Sequence, residues 1–434
     1  MSKRKKRQPD QKKLLTPARQ MIGLVMLFFF LGFLLLAVWM RSREAAGWEK
    51  AVVLSFAVPA LVYAGVLGIP RLFPGDRLLL SLTNFLCALG VLVLFRLNPD
   101  RGISQAFNYF VGVVAMLGCA VVFRFIRRWK FWVVLLMLVS VGLLALPLIY
   151  GSEINGAKNW VTLFGFGFQP SELVKISLLV AVCWLLSERK AVWAIGLTGV
   201  SLGLLMLQKD LGTALLYYGT VLTALWAATG SGLLLLGGMA GAAGGAFVGY
   251  KMFAHVKKRV AVWRNPWADR QGAGYQIVQG LIAIANGGLW GLGLGLGNPG
   301  VIPASYNDYI FTVICHEFGV LFGIIVLLIY LAIVLRGISI ARRTDNAFHA
   351  LLALSCAVML GLQTFVIVGG NIKLIPLTGV TLPFISYGGT SLVSSLCLVG
   401  VLQGISARTQ AALHPTRPKD RGTKPASRRK GGKR

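Results

Sequence analysis

The chain of 434 residues carries 44 Lys and Arg against 14 Asp and Glu, and 56% of its residues are hydrophobic. Only 13% are charged, whereas soluble globular proteins contain about 25% charged residues. This composition excludes an ordinary soluble enzyme, and the high hydrophobicity excludes an intrinsically disordered chain. The class that remains is a polytopic membrane protein with spans of about 20 residues.

Apolar runs, and the turn residues between them, predict an all-α integral membrane protein with about twelve transmembrane helices. The predicted spans lie near residues 21–40, 51–69, 78–95, 106–123, 131–150, 172–187, 193–208, 211–229, 232–250, 308–336, 348–370 and 386–407. An even number of spans places both termini on one side of the membrane. On the other side the two longest loops cover residues 151–171 and 251–307.

Both ends of the chain are strongly basic. Residues 1–20 hold eight Lys and Arg against one Asp, and residues 408–434 hold ten against one. Each tail adjoins an apolar span, so retention on the cytoplasmic side, with contact to anionic lipid, explains the charge better than nucleic-acid binding. We therefore expect a multi-pass protein with two cytoplasmic termini and no nucleic-acid partner.

Six of the acidic residues map to the predicted outer loops or to the outer halves of spans. An ionisable group in or beside a span is costly and is a functional candidate by default, although a helix cap or an interhelical ion pair is the alternative for each one. These six are Glu153, Glu172, Asp210, Asp269, Asp308 and Glu317.

Basic residues gather in the same outer region, with seven Lys and Arg between residues 209 and 270. Such a cluster beside acids favours an anionic ligand, and phosphate or pyrophosphate is the natural candidate for Lys and Arg. The alternative is a loop that rests on anionic lipid headgroups. The Gly-rich segment 287–297 follows no predicted strand, so close packing of a re-entrant loop explains it better than dinucleotide binding.

Five segments have the character of sequence motifs: NGAKNWVTLFGFGFQPSELVK at 155–175, QKDLGTA at 208–214, NPWADRQGAGYQIVQGLIAIANGGLWGLGLG at 265–295, IPASYNDYIFTVICHEFG at 302–319 and IPLTGVTLPFISYGGTSL at 375–392. They resemble the signatures of the SEDS family, which includes RodA, FtsW and SpoVE, and they occur in the family's order. The resemblance implies a ten-helix membrane domain within residues 71–407, preceded by two extra helices within residues 21–70.

The resemblance also implies roles for particular residues. Asp269 matches the essential aspartate of the large outer loop and is expected to be the catalytic base. Glu172 and Lys175 match a charged pair in the central cavity, and their spacing of three places them on one face of a helix. The residues expected to bind the substrate are Lys158, Trp160, Glu172, Lys175, Asp210, Arg264, Arg270 and Glu317.

The implied activity is that of an inverting peptidoglycan glycosyltransferase, which polymerises lipid II at the outer face of the bacterial cytoplasmic membrane. The family pairs with class B penicillin-binding proteins, so a transpeptidase partner is expected. No organic cofactor is expected, and a divalent cation, Mg²⁺ or Mn²⁺, is an option for neutralising the pyrophosphate. The alternative function is a transporter that flips the same lipid-linked precursor.

The sequence departs from the family pattern at two positions inside these motifs. Lys209 replaces a proline of the second signature, which suggests a straighter helix junction and an ion pair between Lys209 and Asp210. His316 replaces the first of two adjacent acids and leaves only Glu317.

Overall fold

The computed structural model describes residues 16–413 apart from residues 127, 155–156 and 164. Most of each predicted basic tail lies outside these described residues. In the described part, eleven helices are long and apolar enough to cross a membrane, and a twelfth apolar helix has 17 residues. The predicted architecture, a polytopic helical membrane protein, is therefore confirmed.

Two helices in the first part of the chain begin at polar side-chain caps. The Asp76 side chain accepts a hydrogen bond from the Leu79 backbone N–H, and Asn98 likewise accepts from Asp100 and Arg101. These caps satisfy donors that a helix leaves unpaired. The helices of this part of the chain are α1 (Thr16–Ser42), α2 (Trp48–Tyr63), α3 (Ile69–Leu72), α4 (Arg77–Leu97), α5 (Pro99–Phe125) and α6 (Trp129–Tyr150), with a π-helical segment, Ala64–Gly68, between α2 and α3.

The loop predicted at residues 151–171 contains a small antiparallel sheet, which the all-α prediction did not include. Its strands are β1 (Ser152–Ile154), β2 (Ala157–Leu163) and β3 (Phe166–Phe168), in the order β1-β2-β3. Ser152 pairs with Trp160, and Val161 pairs with Phe168. The Lys158 backbone N–H donates to the Gln208 carbonyl at 3.0 Å, which ties the sheet to the end of a neighbouring helix.

The remainder of the chain is helical again. Its helices are α7 (Pro170–Ser187), α8 (Ala191–Leu207), α9 (Leu211–Thr229), α10 (Gly232–Met252), α11 (Ala254–Arg264), α12 (Tyr275–Gly287), α13 (Ile310–Phe318), α14 (Val320–Arg343), α15 (Ala347–Asn371) and α16 (Gly389–Leu413), with 3₁₀ turns at Pro266–Asp269 and Pro299–Val301.

One span that the sequence predicts as a single helix is divided into two helices in the structure. The apolar run near residues 308–336 is broken at Gly319, whose φ of 89° is a left-handed conformation that favours glycine. Helix α13 ends before this residue, and α14 begins after it. Sequence periodicity did not show the break because both sides are apolar.

The buried core is formed mainly by α4, α7, α15 and α16. Between 72% and 89% of the residues in the apolar window of each of these helices are buried, whereas α10 buries only 6%. Helix α10 therefore lies at the periphery and offers nearly all of its surface to lipid.

The two ends of the bundle differ in composition. We call the end that carries β1–β3, α11 and α12 the loop end. The opposite end, here the basic end, contains Asp76, whose side chain accepts from Arg336 Nε at 3.0 Å. Gln403 of α16 both accepts from the Asp76 N–H and donates to its carbonyl, which fixes the start of α4 to the end of α16.

Candidate functional site

A charged pair lies in the centre of the helix bundle. Lys175 Nζ approaches Glu172 Oε2 to 2.6 Å within α7, and the Lys175 side chain is 1% exposed. The first turn of α7 begins with Pro170, which is suited to the start of a helix because its missing N–H is not needed there. The spacing of three residues then brings the two side chains together, as the sequence indicates.

Neighbouring helices complete the hydrogen bonding of this pair. Lys175 Nζ also donates to Gln363 Oε1 of α15 at 3.0 Å, and Ser394 of α16 donates to Glu172 Oε2 at 2.7 Å. Gln363 Nε2 in turn donates to the Thr381 carbonyl at 2.8 Å. We call Glu172, Lys175, Gln363 and Ser394 the central cluster, and it connects α7, α15 and α16 to the C-terminal signature.

Asp210 organises a second polar group at the loop end. Its carboxylate caps α9 by accepting from the Thr213 N–H at 3.2 Å and from the Thr213 hydroxyl at 3.0 Å. Asn159 of β2 and Gln169 each donate to Asp210 Oδ2 at 3.0 Å. The acid therefore joins the small sheet to α9, and its oxygens are shared among protein donors.

The other two predicted residues of the small sheet have separate surroundings. Lys158 Nζ donates to the Leu148 carbonyl at 2.8 Å, at the end of α6. Trp160 is half-buried opposite Ser152. Among the described residues, neither hydrogen-bonds to the central cluster.

The structure contradicts both expectations for Lys209. Its φ of 61° puts a sharp turn between α8 and α9, so the junction is not straightened. Its side chain is exposed and forms no ion pair with Asp210 among the described residues. Because proline is confined to a φ near −65°, the family's proline would not fit this backbone conformation.

Asp269 is exposed at the loop end, where it closes a tight turn. Its Oδ1 accepts from the Gly272 N–H at 3.0 Å, and its Oδ2 accepts from the Ala273 N–H at 2.8 Å. A Cβ atom added to Gly272 would lie 2.5 Å from Oδ2, so a side chain at this position would displace the Asp269 carboxylate. The two N–H groups hold the carboxylate in a fixed direction while it remains open to solvent.

Basic side chains lie around this turn without pairing to it. Arg264 and Arg270 are exposed, and in the described part of the chain neither forms an ion pair with Asp269. Helix α11 adds exposed Lys257, Lys258 and Arg259. Arg259 lies near Asp308, whereas the other four cations form no ion pair among the described residues and remain available to an anionic ligand.

Glu317, one of the residues expected to bind the substrate, pairs with a basic residue of another helix. Its side chain is fully buried and pairs with Arg96 Nε at 3.1 Å. The neighbouring His316 has its Nδ1 2.9 Å from the Ala283 carbonyl, and its Nε2 accepts from the Asn298 N–H at 3.3 Å. The ion pair between Arg96 and Glu317 therefore joins α4 and α13. No described contact links Glu317 to Asp269 or to the central cluster.

Asp308, an outer acid left out of the predicted site, lies just before α13. Burial raises the pKa of its carboxyl to about 6, and the nearby Arg259 guanidinium partly opposes that shift. Arg259 Nη1 also donates to the Thr378 carbonyl at 2.9 Å. These contacts bring the outer loops and the C-terminal signature together at the loop end.

An apolar cavity of about 450 Å³ opens beside these residues. It lies between α9 and the weakly packed α10, and α11 and the segment 376–378 complete its walls. Tyr218, Gly241 and Gly245 are among its lining residues, with His255 and Arg259 at its polar part. The cavity thus offers an apolar volume next to cations.

The described residues contain no group of three His, Cys, Asp or Glu side chains placed to hold a metal ion. Mg²⁺ in proteins is commonly held by one or two carboxylates together with substrate phosphates. Asp269 fits that pattern as a single exposed carboxylate. A divalent cation at the loop end would therefore depend on phosphate oxygens of a ligand for most of its ligands.

Sequence reasoning missed Gln363, Ser394 and Arg96. Gln363 and Ser394 are polar residues inside otherwise apolar spans, and Arg96 is a cation at the end of one, so each carried the signal that marks a functional candidate in a membrane helix. The acidic residues alone do not reveal the donors that pair with them, because those donors lie on distant helices.

Comparison with known proteins agrees with this geometry. The profile of the FtsW/RodA/SpoVE family of cell cycle proteins matches residues 78–411. The chain is 33% identical to the peptidoglycan glycosyltransferase RodA of Mycobacterium tuberculosis, with 89% of each chain covered. It is 32% identical to the stage V sporulation protein E of Bacillus subtilis, with 76% of this chain and 96% of that protein covered.

Solved structures give the same result. A chain from a peptidoglycan synthase complex that coordinates polymerization and crosslinking is 29% identical, with a TM-score of 0.65 over 77% of this chain and 99% of that one. The rod shape determining protein RodA of Thermus thermophilus is 28% identical, with a TM-score of 0.57 over 79% and 99% of the two chains. The chain belongs to the FtsW/RodA/SpoVE family.

Proposed function

We propose that this protein is a peptidoglycan glycosyltransferase that polymerises lipid II. The observation that carries the proposal is the Asp269 carboxylate, which is exposed and fixed in direction at the loop end, within the family-matched region. The relatives named as peptidoglycan glycosyltransferases support the same activity.

The reaction joins two lipid-linked sugars. The Asp269 carboxylate accepts the proton of a sugar hydroxyl on one substrate as the hydroxyl oxygen attacks the anomeric carbon of the other. The new C–O bond forms on the face opposite the bond that breaks, so the configuration inverts. The electron pair of the broken bond leaves with the pyrophosphate oxygen.

The leaving group does not need an acid to protonate it, because cations can stabilise the charge that develops on pyrophosphate. Exposed Lys257, Lys258 and Arg264 are placed for that role beside the Asp269 turn. A divalent cation, Mg²⁺ or Mn²⁺, bound by the pyrophosphate and Asp269 would supply further charge neutralisation. Glu172, Lys175, Asp210 and Glu317 then shape the helices around the site rather than contact the reacting atoms.

The apolar cavity between α9 and α10 suits a polyprenyl tail, since it opens beside a helix that is only 6% buried. Because the polyprenyl tail of lipid II lies in the bilayer, the substrate needs an opening between helices through which the tail can enter. We propose that the loop end lies at the outer face of the bacterial cytoplasmic membrane and that both termini lie in the cytoplasm, an orientation that the basic tails favour. A class B penicillin-binding protein is the partner that the named synthase complex suggests.

Proteoliposomes containing the purified protein and fluorescent lipid II test the proposal. Two quantities are measured in one preparation: glycan strands separated on a gel, and transbilayer movement of lipid II followed by quenching of outer-leaflet fluorescence. We expect strands without accelerated movement, with the partner transpeptidase added in a parallel sample. Accelerated movement without strands, with or without the transpeptidase, would establish the transporter alternative instead.

A further inference from the structure

The two N-terminal helices α1 and α2 precede the family-matched region, which begins at residue 78. Solved relatives are covered over 98–99% of their own length but over only 77–79% of this chain. The helices are therefore an addition to the common core. Their contacts indicate what the addition does.

Helix α1 packs against two core helices through aromatic rings. Phe29 lies 5.5 Å from Phe85 of α4, and Phe28 stacks on Phe322 of α14 at 6.3 Å between ring centroids. These contacts fix α1 along the seam between α4 and α14. The loop-end part of α1 then reaches the Gly-rich segment 287–297.

Trp39 contacts two cations at that end, and one of them is Arg43, whose guanidinium lies 4.8 Å from the centroid of the Trp39 ring. The guanidinium of Arg96 lies 4.8 Å from the centroid of the Trp39 ring, within the range of a cation–π interaction. An added Cβ on Gly295 would lie 3.5 Å from the same ring. That distance is an ordinary van der Waals contact, but Gly295 has a φ of 84°, so a side chain there would be strained.

The Arg96 guanidinium contacts three elements of the structure, which are α1, the Gly-rich segment and α13. One nitrogen, Nη2, donates to the carbonyls of Gly295 and Gly297 at 3.1 and 3.0 Å. Its Nε faces Glu317 of α13 at 3.1 Å. A planar fork of this kind holds several acceptors in fixed directions, which a lysine ammonium does not do.

The Gly-rich segment is connected in turn to the Asp269 turn. The Leu292 and Gly293 N–H groups donate to the carbonyls of His316 and Glu317 at 3.1 and 2.9 Å. The segment directly follows α12. At the other end of α12, the Gly274 N–H donates to the Asp269 carbonyl at 2.9 Å.

We propose that the N-terminal helix α1 positions the catalytic loop. Trp39 orients Arg96, Arg96 locks the Gly-rich segment onto α13, and the locked segment holds α12 and thereby the Asp269 turn. Trp39 and Arg96 are positioning residues, since neither contacts the reacting atoms. This inference rests on the proposed function for its catalytic part, while its structural part stands on the contacts of α1.

The test uses full-length protein in nanodiscs and two independent measurements. Hydrogen–deuterium exchange reports the protection of the Leu292 and Gly293 amides, and steady-state polymerisation of lipid II separates kcat from KM. The variants are Trp39→Ala, Trp39→Phe and Arg96→Lys. Leu35→Ala is the matched control, because Leu35 lies one turn earlier on α1 and is 63% exposed.

In Trp39→Ala we expect faster exchange at Leu292 and Gly293 and a kcat about tenfold lower with little change in KM, a factor that corresponds to a cation–π contact between the exposed and the desolvated limits, since Trp39 is half-buried. Trp39→Phe keeps an aromatic face and should retain most of the amide protection at Leu292 and Gly293 and most of the kcat. Arg96→Lys keeps the charge for Glu317 but loses the fork, so it should also loosen the segment. Leu35→Ala should resemble the wild type.

Unchanged exchange in either Trp39→Ala or Arg96→Lys would overturn the proposal, as would an equal effect of Leu35→Ala. If Trp39→Ala fails to accumulate in the membrane, Trp39→Leu, which loses the aromatic ring but keeps an apolar side chain, decides the question by the same exchange measurement. A wild-type protein that makes no glycan strands would remove the proposed function, and the exchange measurement alone would then decide whether α1 holds the Gly-rich segment.

Discussion

The central cluster and the Asp269 turn are built on opposite principles. The Glu172–Lys175 pair is buried, and its charged atoms are bonded to Gln363 and Ser394 from two other helices. Asp269 is exposed, and among the described residues its carboxylate is held by backbone N–H groups of its own turn. The charged residues in or near the membrane therefore form two groups. One group is buried and holds helices together, and the other is exposed and would face the substrate in the proposed function.

The first prediction removes one partner of the buried pair. In Lys175→Ala, Glu172 is left as an unpaired buried charge, so the free energy of unfolding should fall by about 3–5 kcal/mol. Glu172→Gln should also destabilise, and the double variant should lose less than the sum of the two. Thermal unfolding in detergent measures all three. Additive losses would mean that the pair contributes no coupling energy.

The second prediction makes the opposite test at the exposed turn. Asp269→Asn keeps the shape and accepts a hydrogen bond through one oxygen, but it does not take up a proton. We expect strand synthesis to fall at least about a hundredfold, while the melting temperature stays near that of the wild type. Asp269→Glu is the control, because it retains a base at a displaced position and should keep part of the activity.

A well-folded Asp269→Asn protein with near-normal strand synthesis would exclude Asp269 as the base. A variant that loses stability as Lys175→Ala does would instead show that the carboxylate acts as a structural cap. Together the two variants separate a loss of fold from a loss of chemistry, which is the contrast between the two regions.

The sequence predicted the helical architecture because apolar runs of about 20 residues have few other solutions in a membrane. It also predicted the Glu172–Lys175 contact, since a spacing of three residues determines a shared helical face. It did not predict the break at Gly319 or the strands β1–β3. Both depend on backbone conformations inside apolar or glycine-containing stretches where periodicity carries little information.

The contacts of Glu317 and Lys209 were beyond sequence reasoning for another reason. Glu317 pairs with Arg96, which is 221 positions earlier in the chain, and only the folded packing of α4 against α13 creates that pair. Lys209 turns away from Asp210 because its left-handed φ reverses the chain between α8 and α9. Local spacing predicts local pairs, and long-range pairs need the tertiary structure.

The third prediction concerns Asp308, which is intermediate between the two regions in burial. Burial raises the pKa of its carboxyl from 3.8 to about 6, so the folded protein retains a proton there that the unfolded chain has released. Stability contributed by this group is present at low pH and is lost as the pH rises from about 4 to 6.

Asp308→Asn should remove that loss and raise the free energy of unfolding by about 1–2 kcal/mol at pH 7.5, a figure reduced because the side chain is partly exposed. The gain should shrink at pH 4.5. Asp100→Asn is the control, since the Asp100 side chain is 83% exposed in a surface pair with Lys50. Equal gains at both pH values would refute the titration of Asp308.

The smallest expected effect concerns the exposed cations beside Asp269. Replacing Lys257, Lys258 and Arg264 by Gln removes three positive charges that face solvent at the loop end. Attraction of a pyrophosphate by such charges is long-ranged and is screened by salt, so the apparent KM for lipid II should rise a few-fold at low salt and its dependence on ionic strength should weaken. The matched control replaces Arg189, Arg342 and Arg343, three exposed cations that the proposed orientation puts at the opposite face. An identical change in salt dependence from both sets would show that net charge, rather than the loop end, attracts the substrate.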